Sequence, residues 1–160
     1  MVSFKGRRPM GKPMGKRAFQ DALRNAPARQ NEMATVTELC QRAFALQRSG
    51  RLPDAKALYG QLLTLAPDHF DALHQSGRLE HAARNYDAAE ALLARAVKVA
   101  PRSAEAHRTH GMVLAAMGRV EEAAGSYSRS LAVNPRDVIA LNDLGNAYRH
   151  MKRPQEALAA

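Results

Sequence analysis

From Val36 onward apolar residues return every three or four positions, with polar residues filling the intervals. Leu39, Leu46, Leu58, Tyr59, Leu62, Leu73, Leu92, Leu93, Leu114, Tyr127, Leu131, Leu141, Leu144 and Tyr148 share this spacing. It puts them on single faces of successive helices and reads as an inter-helix core rather than a cofactor box. Short breaks interrupt the pattern at "SGR" (49–51), "ARN" (83–85), "MGR" (117–119) and "MKR" (151–153). Slid against itself, the chain matches at a period of 34 residues. Pro67, Pro101 and Pro135 form one column; Gly77, Gly111 and Gly145 form a second; Ala55, Ala89, Ala123 and Ala157 form a third. Each period therefore holds a pair of helices. Thr35 followed by Glu38 has capping-box spacing ahead of the first helix. Pro53 and Pro154 suit the first turn of a second helix, where the missing N–H does no harm. The proline closing each unit stops the second helix and restarts the chain.

The small residues have a packing reason. Ala43, Gly77, Gly111 and Gly145 stand eight positions into each unit, and the alanine column stands twenty in, so the two helices of a pair approach closely there. The expected fold is an all-α solenoid of tandem helix pairs: complete units at 36–69, 70–103 and 104–137, and a partial fourth at 138–160. Residues 1–33 precede it as a basic, flexible arm.

This set of columns resembles the tetratricopeptide-repeat family. The family pattern of a small residue, then Gly, Ala, an aromatic and Pro is met in unit one by Ala43, Gly50, Ala55, Tyr59 and Pro67. Unit three meets it through Gly111, Gly118, Ala123, Tyr127 and Pro135. Units two and four depart where Arg84 and Lys152 replace Gly, and unit two has Leu93 in the aromatic place. Those changes weaken individual turns.

The resemblance implies a concave groove lined by the first helix of each unit, open to an extended peptide or a helix of a partner protein, with no catalytic constellation. Carried over position by position, the groove residues are Thr37, Cys40, Gln41, Phe44 and Gln47 in unit one, and Asp71, His74, Gln75, Arg78 and His81 in unit two. Unit three contributes Glu105, Arg108, Thr109, Met112 and Ala115, and unit four contributes Ile139, Asn142, Asp143, Asn146 and Arg149. The lining is polar and mixed in charge. Members of the family that clamp a C-terminal carboxylate do so with Lys and Asn, whereas Cys40, Phe44, Gln75, Glu105 and Thr109 stand here, which speaks against that ligand. The asparagine ladder of O-linked N-acetylglucosamine transferases reads here as Gln41, Gln75, Thr109 and Asp143, a polar imitation. The wording of "ALYGQLLTLAPDHFDALHQSG" and "ALNDLGNAYRHMKRPQEALAA" is nevertheless similar to the N-terminal arrays of bacterial transferases of that type. An alternative expectation follows: the non-catalytic, acceptor-presenting front of a glycosyltransferase-like protein, an array of a kind that also precedes sulfotransferase domains.

Charge changes the picture only at the N-terminus. The formal net charge is +9. Lys5, Arg7, Arg8, Lys12, Lys16, Arg17, Arg24 and Arg29 oppose only Asp21 in the first 30 residues, so the arm carries most of it. The tandem "PMGKPMGK" at 9–16 breaks helices. The arm reads as a solvated leader, in preference to a nucleic-acid contact through residues 5–17. The expected location is cytoplasmic: the single cysteine, Cys40, forms no internal disulfide, and no stretch has the length and apolarity of a secretory signal or membrane span. The last unit stops at Ala160 on "EALAA", not a polar capping helix, which suggests a fragment or the front of a longer array. Its uncapped edge offers a surface for self-association.

No metal or other cofactor is expected. Zinc needs three or four ligands. His69, Asp71 and His74 crowd "PDHFDALH", yet His69 falls in a turn away from the other two, and His107 with His110 lack closing partners in sequence. Cys40 has no His–acid neighbours in sequence to activate it as a nucleophile.

Overall fold

A computed structural model describes the backbone of residues 33–157 and side chains through Met151. The expected arm over 1–33, apart from Met33, lies outside the described residues, as do the side chains of Lys152, Pro154 and Ala157. Seven helices follow in order: α1 (33–48), α2 (Leu52–Leu65), α3 (Phe70–Ala82), α4 (Tyr86–Val99), α5 (Ala104–Ala116), α6 (Val120–Val133) and α7 (Val138–Ala157). Among the described residues there is no strand. Residues Val36–Ala160 form one compact unit. The helix pairs α1/α2, α3/α4 and α5/α6 reproduce the expected all-α repeat.

Within each pair the turn is made by a residue in the left-handed region. Gly50 (φ 78°) and Gly118 (φ 77°) adopt it, and so does Arg84 (φ 62°), the position where unit two departs from glycine. Each turn is closed by a backbone bond back to the preceding helix: Arg51 N–H to Leu46 O, Asn85 N–H to Glu80 O and Arg119 N–H to Leu114 O, each 2.9 Å. The fourth expected turn, at "MKR", does not form, and α7 runs unbroken through it. Lys152 holds the glycine's place there, and a left-handed residue with a Cβ costs about 1–2 kcal/mol, which favours continuing the helix. A second correction concerns Thr35, which lies inside α1 rather than capping it, because the chain is already helical at Met33 and Ala34.

Helices α3, α5 and α7 start on a capping column two residues after Pro67, Pro101 and Pro135. His69 Nδ1 accepts from Ala72 N–H (3.3 Å), Ser103 Oγ from Ala106 N–H (3.2 Å), and Asp137 Oδ1 from Ile139 and Ala140 N–H (3.0 and 3.1 Å). Each satisfies donors that a helix start leaves without partners, worth about 1 kcal/mol apiece. His69 is thus a member of a column that repeats with Ser103 and Asp137.

Most of the expected packing positions are buried, but Gly145 is exposed and Leu141 and Tyr148, expected in the inter-helix core, are 49% and 50% exposed, since α7 has no described partner helix of its own unit. Ala55, Tyr59, Ala89, Leu93 and Ala123 are fully excluded from solvent, Tyr127 nearly so, and Ala72, Ala106 and Ala140 form a further buried column. Leu93 replaces the aromatic at no loss of burial, contributing about 2 kcal/mol by area. Burial pushes the Tyr59 and Tyr127 hydroxyls up to about 12. Charged residues also enter this interior. Glu80, 8% exposed, joins α3 to α2 through Lys56 Nζ (2.7 Å) and accepts from Asn85 Nδ2 (2.9 Å). Its neighbours hold the carboxyl below its ordinary value, chiefly by these hydrogen bonds.

Successive units meet mainly through α2 with α3, α4 with α5 and α6 with α7. In addition α3 touches α5 and α5 touches α7, and no pair of even helices meets to the same extent. The odd helices therefore lie on the inner, shorter side of the stack.

Candidate interaction groove

The inner side carries a chain of hydrogen-bonding side chains that crosses unit boundaries. Tyr59 donates its hydroxyl to Gln47 Oε1 (2.8 Å), and Gln47 Nε2 donates to Gln75 Oε1 (3.2 Å). Arg78 Nη1 donates to the same Gln75 oxygen (3.3 Å) and reaches Glu105 Oε1 at 3.9 Å. Farther along, Arg108 Nε faces Asp137 Oδ2 at 3.5 Å, and Arg149 donates to Asn146 Oδ1. Side chains of α1, α3 and α5 are thus linked across unit boundaries, while Arg149 and Asn146 pair within α7.

The expected groove residues divide by exposure. Gln41, Asp71, Arg78, Glu105, Asn142 and Arg149 are exposed, while Phe44, Gln75, His81, Arg108, Met112, Asp143 and Asn146 are half-buried. Phe44 sets its ring edge-on against Tyr59 at 6.1 Å, His81 leans on Tyr86 at 5.8 Å, and Met112 Sδ lies 3.7 Å from Arg108 Nη1. Burial pushes the Asp143 carboxyl above its ordinary value, with Asp137 adding to the rise and Arg108 opposing it. Asp143 and Asn146 also line a cleft of about 400 Å³ with Tyr127 and His150.

Two residues expected in the groove are enclosed instead. His74 is 2% exposed and Thr109 is 6% exposed, with His74 Nε2 and Thr109 Oγ1 3.2 Å apart. Thr109 donates its hydroxyl to Glu105 O (2.9 Å), so it accepts from His74, and the contact fastens α3 to α5. Phe70 stacks on the His74 ring at 5.6 Å. The physical reason is the closeness of successive odd helices, which leaves no room for these side chains to reach solvent. Burial lowers the His74 pKa from its ordinary value.

The other histidines are engaged separately. His107 is buried with Nε2 3.0 Å from Pro101 O, and His110 Nε2 lies 3.6 Å from Glu90. Sequence reasoning missed a different constellation: ligand atoms of Cys40, His69 and Asp71 all lie within 4.8 Å of one another. The structure corrects the expectation that His69 stands away from Asp71: their ligand atoms meet, and Cys40 joins them from α1, which no local spacing signalled.

A stack of helix pairs with a polar inner face defines a repeat scaffold of the α-solenoid class. Comparison with known families narrows the class. Two tetratricopeptide-repeat profiles match residues 46–112 and 108–160, and the chain belongs to this family, whose repeats are non-catalytic protein–protein interaction modules. No curated protein matches. Among solved structures, a mutant of the Thermobaculum terrenum O-GlcNAc transferase is 35% identical with a TM-score of 0.68. The match covers 72% of this chain and 22% of that one, so the chain spans under a quarter of the enzyme. The first repeat domain of Spaghetti (RPAP3), bound to the HSP90 peptide SRMEEVD, matches at 18% identity and a TM-score of 0.71, covering 74% of this chain and 94% of that one. MamA matches at 22% identity and 0.70, covering 89% and 80%. The last two likenesses are of fold. No helix among the described residues is long and apolar enough to cross a membrane.

Proposed function

We propose that the inner face of α1, α3, α5 and α7 binds an extended segment or helix of a partner protein. The observation that carries this reading is the line of exposed and half-buried side chains from Gln47 through Gln75, Arg78 and Glu105 to Arg108, with contacts that cross unit boundaries at Gln47–Gln75, Arg78–Glu105 and Arg108–Asp137. Amide, guanidinium and carboxylate groups alternate along it, a surface suited to the N–H and C=O groups of an extended chain and to mixed side-chain charges. Pre-positioned side chains lose little freedom on binding, which favours affinity. Gln41, Phe44, Asp71, His81, Met112, Asn142, Asp143, Asn146 and Arg149 complete the surface.

The test is affinity capture with the full chain, followed by titration of the captured segment against Arg78→Ala and Arg108→Ala. Each substitution removes a central cation and should weaken binding about ten-fold or more. Unchanged affinity in both variants would remove the groove from the account.

A second reading rests on the 35% identity to the Thermobaculum terrenum transferase. In it this array presents acceptor polypeptides to a glycosyltransferase-type catalytic part. Replacing the corresponding repeats of that enzyme with residues 36–160 should then preserve modification of its acceptors. Loss of modification with the catalytic part intact would leave only the general scaffold.

A further inference from the structure

We propose that Cys40, His69 and Asp71 form a binding site for a borderline-soft divalent cation, zinc being the type, which fastens unit one to unit two. Their ligand atoms converge to within 4.8 Å. Bonds of about 2.0–2.3 Å around a tetrahedral ion place ligand atoms about 3.3–3.8 Å apart. Closure therefore needs about an ångström of side-chain movement, within the reach of rotamers on α1 and the first turn of α3. Thiolate with imidazole favours zinc or cobalt over magnesium or calcium, which take oxygen ligands in larger number. Three protein ligands leave a fourth position for water or for a group that a partner brings.

The repeat supplies an independent reason. The columns of Cys40 and His69 recur at the third junction as Arg108 and Asp137, and there the two side chains make an ion pair at 3.5 Å across the unit boundary. At the first junction the same two columns hold a thiol and an imidazole, with Asp71 beside them. A divalent cation bound by all three would link the two units there, as the guanidinium–carboxylate pair does at the third junction. Cys40 packs against the core cluster of unit one that contains the buried Tyr59. Loading the site gives up the His69 cap of α3. The ion either takes Nδ1 directly or, at Nε2, forces the ring proton onto Nδ1, where the Ala72 amide now donates.

The experiment is a titration of the reduced full chain with Co²⁺, then displacement by Zn²⁺. One equivalent of Co²⁺ should bind with a thiolate-to-cobalt charge-transfer band, and Cys40, as the single cysteine, is its only source. Cys40→Ser should abolish the band. His69→Asn, which keeps an acceptor to cap α3, and Asp71→Asn should each weaken binding at least ten-fold, with far-ultraviolet circular dichroism checking that the fold is retained. Zn²⁺ should raise the unfolding midpoint of the parent chain and leave that of Cys40→Ser unmoved. Absence of the band at stoichiometric Co²⁺ overturns the proposal. So does a band unaffected by His69→Asn and Asp71→Asn, which would report a lone thiol.

Discussion

Placing alanine at Gly111 and at Gly145 should shift stability in opposite directions, although both residues occupy the same column of the repeat. A Cβ built on Gly111 would stand 2.7 and 2.8 Å from Tyr127 Cε1 and Cδ1, well inside van der Waals contact. Tyr127 is 3% exposed and its ring is rigid, so relief requires α5 and α6 to separate. Overpacking of this kind costs about 1–3 kcal/mol, while alanine in place of a mid-helix glycine returns about 1 kcal/mol. The net expectation is a loss of about 1 kcal/mol. At Gly145 a Cβ meets nothing within 4 Å among the described residues, so only the helix-propensity gain of about 1 kcal/mol remains. The two variants should therefore differ by about 2 kcal/mol. Urea unfolding of each full-length variant, followed by far-ultraviolet circular dichroism, reads the difference. Equal stability of the two, or a Gly111→Ala chain firmer than its parent, would refute the close-approach argument.

Two further expectations follow from the turns and the buried carboxylate. Arg84→Gly removes a Cβ from a left-handed residue and should raise stability by about 1 kcal/mol in the same unfolding assay, because Arg84 sits at φ 62°. Glu80→Gln should cost about 1–2 kcal/mol at neutral pH by weakening the Lys56 and Asn85 contacts. The folded Glu80 carboxyl lies below its ordinary value of 4.5, so its contribution is present above that pH and is lost as pH falls through the lower folded value. Parent and Glu80→Gln stabilities should therefore converge in acid, and a gap that persists there would count against the contact.

Much of the fold was legible because the repeat wrote it several times over. The Pro67, Gly77 and Ala55 columns located helix pairs, and Tyr59, Leu93 and Tyr127 marked the seams between their helices. The "MKR" break misled because Lys152 lacks the conformational freedom that Gly50 and Gly118 supply, and a motif position alone does not reveal whether packing will hold a strained residue there. Arg84 shows the other outcome, a strained turn retained next to a well-packed α4. The capping column could have been found from Ser103 and Asp137, both strong caps, which stand in register with His69.

The sequence by itself determined the helix pairs and their period, because a helix pattern depends on residues within one or two turns and the columns restate it every 34 residues. Tertiary structure alone decided which members of a column are crowded, since Gly111 faces a ring from α6 while Gly145 meets nothing within 4 Å among the described residues. It also turned His74 and Thr109 inward as a bond between α3 and α5, and drew Cys40 to His69 and Asp71. Such meetings depend on how closely successive odd helices approach, and that distance is set jointly by all the side chains packed between them.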